Sequence, residues 1–111
     1  MLKMKRGALM EMVLWCLINY KPTRDSDTRL TINIWNKFFP EYVTWRDDRP
    51  YICLYDLFNV PRGSDIVRKR AKVQNNKKKP DEERYLPISP EVRKARRIKE
   101  EDCRVNKGQV N

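Results

Sequence analysis

The sequence predicts a small, mainly α-helical domain, helix-turn-helix or winged-helix-like, that carries an extended basic C-terminal strap and helix. Three observations lead there. Apolar residues recur at helical spacing in successive stretches of the first 75 positions. Prolines and capping residues fall between those stretches, where helices stop and start. The charge is uneven: 25 Lys and Arg against 15 Asp and Glu give a net charge of +10, and 16 basic against 8 acidic residues lie after Pro61. With 111 residues the chain holds one domain. Its core belongs to the first half, because Trp15, Trp35, Trp45, every Phe and every Tyr except Tyr85 precede residue 59.

The first helix runs from Ala8 to Tyr20, where nearly every position is apolar, as in a central helix covered on several sides. Pro22 stops it, and Ser26 or Asp27 in the polar turn Thr23 to Asp27 can cap the next helix. In that second helix Leu30, Ile34 and Phe38 form one inward stripe with Trp35 beside them, until Pro40 ends the run. Residues 41 to 50 read as irregular, with Asp47 and Asp48 as capping candidates and Pro50 suited to a first helical turn. A short third helix is expected from Pro50 to Phe58 on the spacing of Tyr51, Leu54, Tyr55 and Phe58, with a strand through YICLY as the competing assignment. After the turn Asn59 to Gly63, Ser64 reads as the N-cap of a fourth helix with Asp65 in its first turn, running to about Asn75. At about 100° per residue, that helix gathers Ile66, Val67, Ala71 and Val73 on one side and Arg68, Lys69 and Lys72 on the other. Residues 76 to 84 contain no apolar side chain and read as a solvated linker. YLPISP is an extended strap, and Ser89 with Pro90 opens a last, charged helix to about Arg104.

Three segments are therefore expected: a helical core domain over 1–76 with a helix-turn-helix-like unit at about 50–75, a basic linker and strap over 77–88, and a charged helix and tail over 89–111. The core should comprise Leu14, Trp15, Leu17, Ile18, Leu30, Ile34, Trp35, Phe38, Leu54 and Phe58, and residues 1 to 76 should fold without the tail. The last helix has little apolar content. Either it docks through the strap, by Leu86 and Ile88, or a partner, nucleic acid or another subunit of a homo-oligomer orders it.

Several function classes recede on composition. The chain has no histidine, the usual general base near neutral pH, and no nucleophile paired with a base, so no enzyme and no catalytic residue is indicated. Cys16, Cys53 and Cys103 form no CxxC pair, which signals neither a disulfide framework nor a zinc site; no metal and no cofactor is expected. Asp47 and Asp48 lack a third ligand nearby in sequence. Glu11 interrupts the apolar stretch 7–18 and no cleavage site follows, so secretion is not expected, and the stretch is too short for a membrane span. An intracellular chain with no membrane partner is the natural expectation.

What remains is the charge. A short helix, a turn and a longer helix with a basic outer face is the arrangement of a helix-turn-helix, whose second helix enters the major groove. Arg62, Ser64, Arg68, Lys69 and Lys72 would face the duplex, and Lys77, Lys78 and Lys79 would add an electrostatic arm. A solvated face on any helical hairpin would look the same, and most Lys runs are merely solvated. Trp15 and Trp35 lie on faces assigned to the core. Trp45, flanked by Arg46 in an irregular stretch, is the tryptophan to test at a surface for base stacking.

The order of these pieces resembles a group of small proteins encoded by tailed bacteriophages and prophages. Such proteins have an apolar first helix, then a P-x-T-R-x-S-D-like turn and a Trp-containing helix, as in Pro22, Thr23, Arg24, Ser26, Asp27 and Trp35. A proline turn, a basic helix, a YLP strap and a basic-acidic tail follow, matched here by Pro61, Arg68, Arg70, Gln74, Tyr85 to Pro87, Arg96 and Glu100. Lys69 and Ala71 depart from the small residue and arginine more usual there. The resemblance implies a phage protein acting in the cytoplasm of the infected bacterial host. Two functions fit: a non-enzymatic DNA-binding protein with a regulatory role, or an inhibitor that covers a host protein or nucleoprotein complex such as a polymerase, nuclease or CRISPR effector.

Overall fold

A computed structural model describes residues 4–75 and 83–96. Helix α1 (Ala8–Asn19) follows Gly7, whose φ of 85° lies in the left-handed region that costs a residue without Cβ least. It buries Val13, Cys16 and Leu17. Its last carbonyls would be left open, and side chains from the next turn close them. Thr23 Oγ1 lies 2.6 Å from the Tyr20 carbonyl and 3.0 Å from that of Cys16, and Arg24 Nε donates to the Leu17 carbonyl at 2.6 Å. The 3-10 turn Lys21–Arg24 is thus folded back beneath α1. Helix α2 (Asp27–Phe38) starts as expected, with Ser26 Oγ accepting from the Arg29 N–H at 3.2 Å, and buries Leu30 and Ile34.

The helix expected over Pro50–Phe58 is absent. In its place strand β1 (Val43–Arg46) pairs antiparallel with β2 (Arg49–Ile52) in the register Val43↔Ile52, Thr44↔Tyr51, Trp45↔Pro50 and Arg46↔Arg49, and Leu54–Asn59 follow as a 3-10 helix. The cause is the turn. Asp47 and Asp48 both adopt positive φ, 49° and 59°, the conformation of a two-residue hairpin loop, which aspartate tolerates better than most residues. Arg46 and Arg49 close that loop as the hydrogen-bonded pair. The next pair is then a non-hydrogen-bonded one, and the missing N–H of Pro50 leaves no gap in the ladder.

Helix α3 (Gly63–Gln74) packs on α1 and α2 and buries Ile66 and Arg70. Its N-cap is Arg62, with no side-chain cap bond, so Ser64 stands inside the first turn rather than capping it. After the 3-10 turn Glu83–Tyr85, residues 90–96 are helical, opened by the Arg93 N–H donating to the Ser89 carbonyl.

The core comprises Val13, Cys16, Leu17, Leu30, Ile34, Phe39, Val60, Ile66 and Tyr85. Leu17, Leu30 and Ile34 were expected there, and Leu14, Trp15, Trp35 and Phe38 surround it half-buried. Three residues assigned to the core lie outside it: Ile18 is 40 % exposed, Leu54 77 % and Phe58 69 %. Helix α1 is apolar on all sides and so offers no stripe by which to choose its inner face, while Leu54 and Phe58 were placed by a helix that does not form. The core also reaches past residue 76, since Tyr85 is 8 % exposed within it. Leu86 is half-buried beside it, whereas the Ile88 side chain faces out.

Candidate nucleic-acid interface

Two contacts fix how α3 is presented. The Trp35 indole N–H donates to the Pro61 carbonyl at 2.8 Å, anchoring the chain just before the helix, and Ile66 fills the core one turn later. From this anchor Arg62, Ser64, Arg68 and Lys72 are exposed, and Lys69 is half-buried at the edge of the same face. The structure therefore brings together five of the residues singled out from sequence. Lys77, Lys78 and Lys79 lie outside the described residues. The acid on this face, Asp65, sits 3.8 Å from Arg68, with side chains 45 % and 78 % exposed, a pair worth little in water.

The inward arc of α3 holds a second basic group, to which the sequence reading assigned no role. Arg70, 7 % exposed, makes a bidentate pair with Asp27 of α2, Nε to Oδ1 at 2.9 Å and Nη2 to Oδ2 at 3.2 Å. Gln74, one turn on, donates to the carbonyls of Arg24 and Tyr85 and accepts from Arg70 and from Arg96. Arg96 reaches in from the C-terminal segment, donating to the carbonyls of Arg24 at 2.6 Å and Asp25 at 3.1 Å and lying 3.6 Å from Asp27. Burial and then the neighbouring Arg70 guanidinium lower its pKa, while Asp27 and Asp25 oppose them. The Asp25 carboxylate accepts from the N–H groups of Ile88 and Ser89 at 2.6 and 3.0 Å, just before the helical segment 90–96, where a negative charge is favoured.

These bonds separate two kinds of charge. Asp25 and Asp27 are engaged with the strap and the inner arginines, so they do not neutralise the outward face of α3. The hairpin adds a further exposed group: Trp45 is 50 % exposed with its Nε1 donating to Asn36 Oδ1 at 3.0 Å, and Arg46 and Arg49 stand opposite each other at its tip. Trp15 lies instead against Phe38 and Tyr20, with the Lys37 ammonium 5.0 Å from its ring centre.

Among the described residues no three His, Cys, Asp or Glu side chains cluster closely enough to hold a metal ion, and no helix is long and apolar enough to cross a membrane. Cys16 is buried, and burial pushes its thiol up to about 11, against the opposing pull of Lys37; Cys53 is exposed. No protein-family model matches the chain, and neither a curated protein nor a solved structure does.

Proposed function

We propose that this chain is a non-enzymatic nucleic-acid-binding protein that lays the outward face of α3 on duplex DNA. One observation carries the reading: among the described residues Arg62, Arg68, Lys69 and Lys72 are set on that face against Asp65, while Asp25 and Asp27 are occupied inside the fold. Lysines 69 and 72 neutralise phosphates. Ser64 and Arg62 lie at the positive end of the helix, where a phosphate is favoured. Arg68, its side chain 78 % exposed, is suited to bidentate contact with a guanine edge. The resemblance to phage proteins supports an infected bacterial cell as the setting of this activity.

The test replaces Arg68, Lys69 and Lys72 together by glutamine, which keeps good helix propensity. Circular dichroism should show an unchanged fold. Duplex affinity should fall in gel-shift titrations, and the slope of log K against log salt should shrink by about 0.9 for each phosphate that is no longer neutralised. Unchanged affinity and slope would remove this face from any DNA interface and leave the host-protein inhibitor as the better reading, since a mixed protein interface responds weakly to salt.

A further inference from the structure

The 3-10 helix Leu54–Asn59 is inside out. With three residues per turn its side chains form three rows, Leu54 with Leu57, Tyr55 with Phe58, and Asp56 with Asn59. The polar row, Asp56 and Asn59, is half-buried against the body. The two apolar rows face water: Tyr55 is 90 % exposed, Leu54 77 %, Phe58 69 % and Leu57 38 %. An element folding only on its own chain would turn the other way. Next to this ridge lies a cleft of about 220 Å³ lined by Met4, Leu9, Leu57, Phe58 and Val60 together with Arg62 and Asp65. Knob and hole therefore occupy one face.

We infer that this face is the interface of a symmetric homodimer, in which the Leu54–Phe58 ridge of each copy seats in the cleft of the other. A two-fold contact needs a patch that complements itself, and a protruding apolar ridge beside a cleft with apolar walls and two charged residues does so. The ridge offers roughly 500 Å² of apolar surface, within the roughly 300–600 Å² of the largest patch on a typical monomer, a patch that is often functional. With Met4, Leu9 and Val60 of the cleft, the ridge comes toward the lower end of a standard interface, roughly 600 Å² per partner. Charge points the same way. Asp56, Arg62 and Asp65 give the patch a charge of about −1 in a chain of net charge +10, so two copies meet here without strong repulsion; Arg62 and Asp65 lie where this patch adjoins the outward face of α3. Self-association is measured without nucleic acid, so this inference stands or falls apart from the DNA reading.

Sedimentation equilibrium of the full chain, at low and at 0.5 M salt, tests it. A reversible monomer–dimer equilibrium is expected that persists or tightens at high salt, as apolar contacts do. Tyr55→Asp and, separately, Leu54→Asp should each weaken the dimer about 30-fold or more, with helical content unchanged because both side chains are solvent-facing. A chain that stays monomeric at 200 µM at both salt concentrations would overturn the inference, and so would a dimer that both substitutions leave intact.

Discussion

Arg68 and Arg70 stand two residues apart on α3 and do opposite work. Arg68 extends into solvent with a weak partner in Asp65, while Arg70 is clasped by Asp27 and shares Gln74 with Arg96. Removing Asp27 would strand one guanidinium in the interior and weaken the hold on another. Asp27→Ala should therefore destabilise the fold by about 2 to 3 kcal/mol, somewhat under the full cost of breaking a buried pair because Asp27 is still 37 % exposed. Arg68→Ala should stay within about 0.5 kcal/mol. Thermal melts of the two variants check the contrast, and equal losses would dissolve it. Helical spacing sets Arg70 one turn after Ile66, on the inward arc, but its acidic partner Asp27 lies 43 positions away, so no local signal says what the buried guanidinium pairs with. Arg24, Asp27, Arg70, Gln74 and Arg96, far apart in sequence, are bonded to one another and hold the fold together. Cys16 gives a residue-scale dependence on pH. Its thiol keeps its proton to about 11 when folded against an ordinary 9.0, so the folded state binds more protons in that interval. Its contribution is complete below pH 9 and lost as pH rises through 11. In a Cys53→Ser/Cys103→Ser chain, Cys16 should resist Ellman's reagent at pH 8 until denaturant unfolds the protein. The stability lost between pH 8 and pH 10.5 should shrink in Cys16→Ala.

At the scale of elements, the helices were legible and the hairpin was not. Ser26 before Asp27, Pro40 after Phe38 and the Leu30 and Ile34 stripe set out α2 in full, because each signal is local. The ribbon depends on a loop built from Asp47 and Asp48, which can equally cap a helix, and on an apolar run, YICLY, too short for its period to decide between helix and strand. Tertiary context adds to the turn: Ile52 and Trp35 pack against the core, and with Val43 they line one cleft between the ribbon and α2. The same error moved Leu54 and Phe58 into the expected core and hid the face proposed here for dimerisation. The ribbon makes its own prediction. Asp48 sits at φ 59°, a conformation open to glycine without strain, and two-residue hairpin loops of this hand favour glycine at their second position. Asp48→Gly should stabilise the protein by up to about 1 kcal/mol and raise its melting temperature by a few degrees. A lower melting temperature would show that the aspartate carboxylate supports the turn more than its backbone strains it.

The molecule as a whole is closed by its C-terminal segment. Composition placed the core before residue 76, and for most of the aromatic payload that holds. The remainder is one tyrosine and a set of hydrogen bonds that no apolar pattern announces. Tyr85 completes the core beside the aliphatic side chains of α1, α2 and α3, and Gln74 holds its carbonyl. Asp25 fixes the backbone of Ile88 and Ser89, and Arg96 covers the carbonyls of Arg24 and Asp25 at the end of the turn beneath α1. A chain ended at Asn76 would lose all of these together. It would open the core where Tyr85 sat, a loss of about 3 kcal/mol or more by analogy with truncating a buried aromatic. It would also return Arg24, Asp25 and Gln74 to water without their partners. Against the roughly 5 to 15 kcal/mol that holds a small domain together, that leaves little. The shortened chain should melt far below the intact one, or without a cooperative transition, by circular dichroism. Tyr85→Ala in the full chain should account for much of the difference and Arg96→Gln for part of it. If instead residues 1–76 melt cooperatively within a few degrees of the full protein, the segment rests on a finished domain, and the Asp25, Gln74 and Arg96 bonds position it without supporting the core.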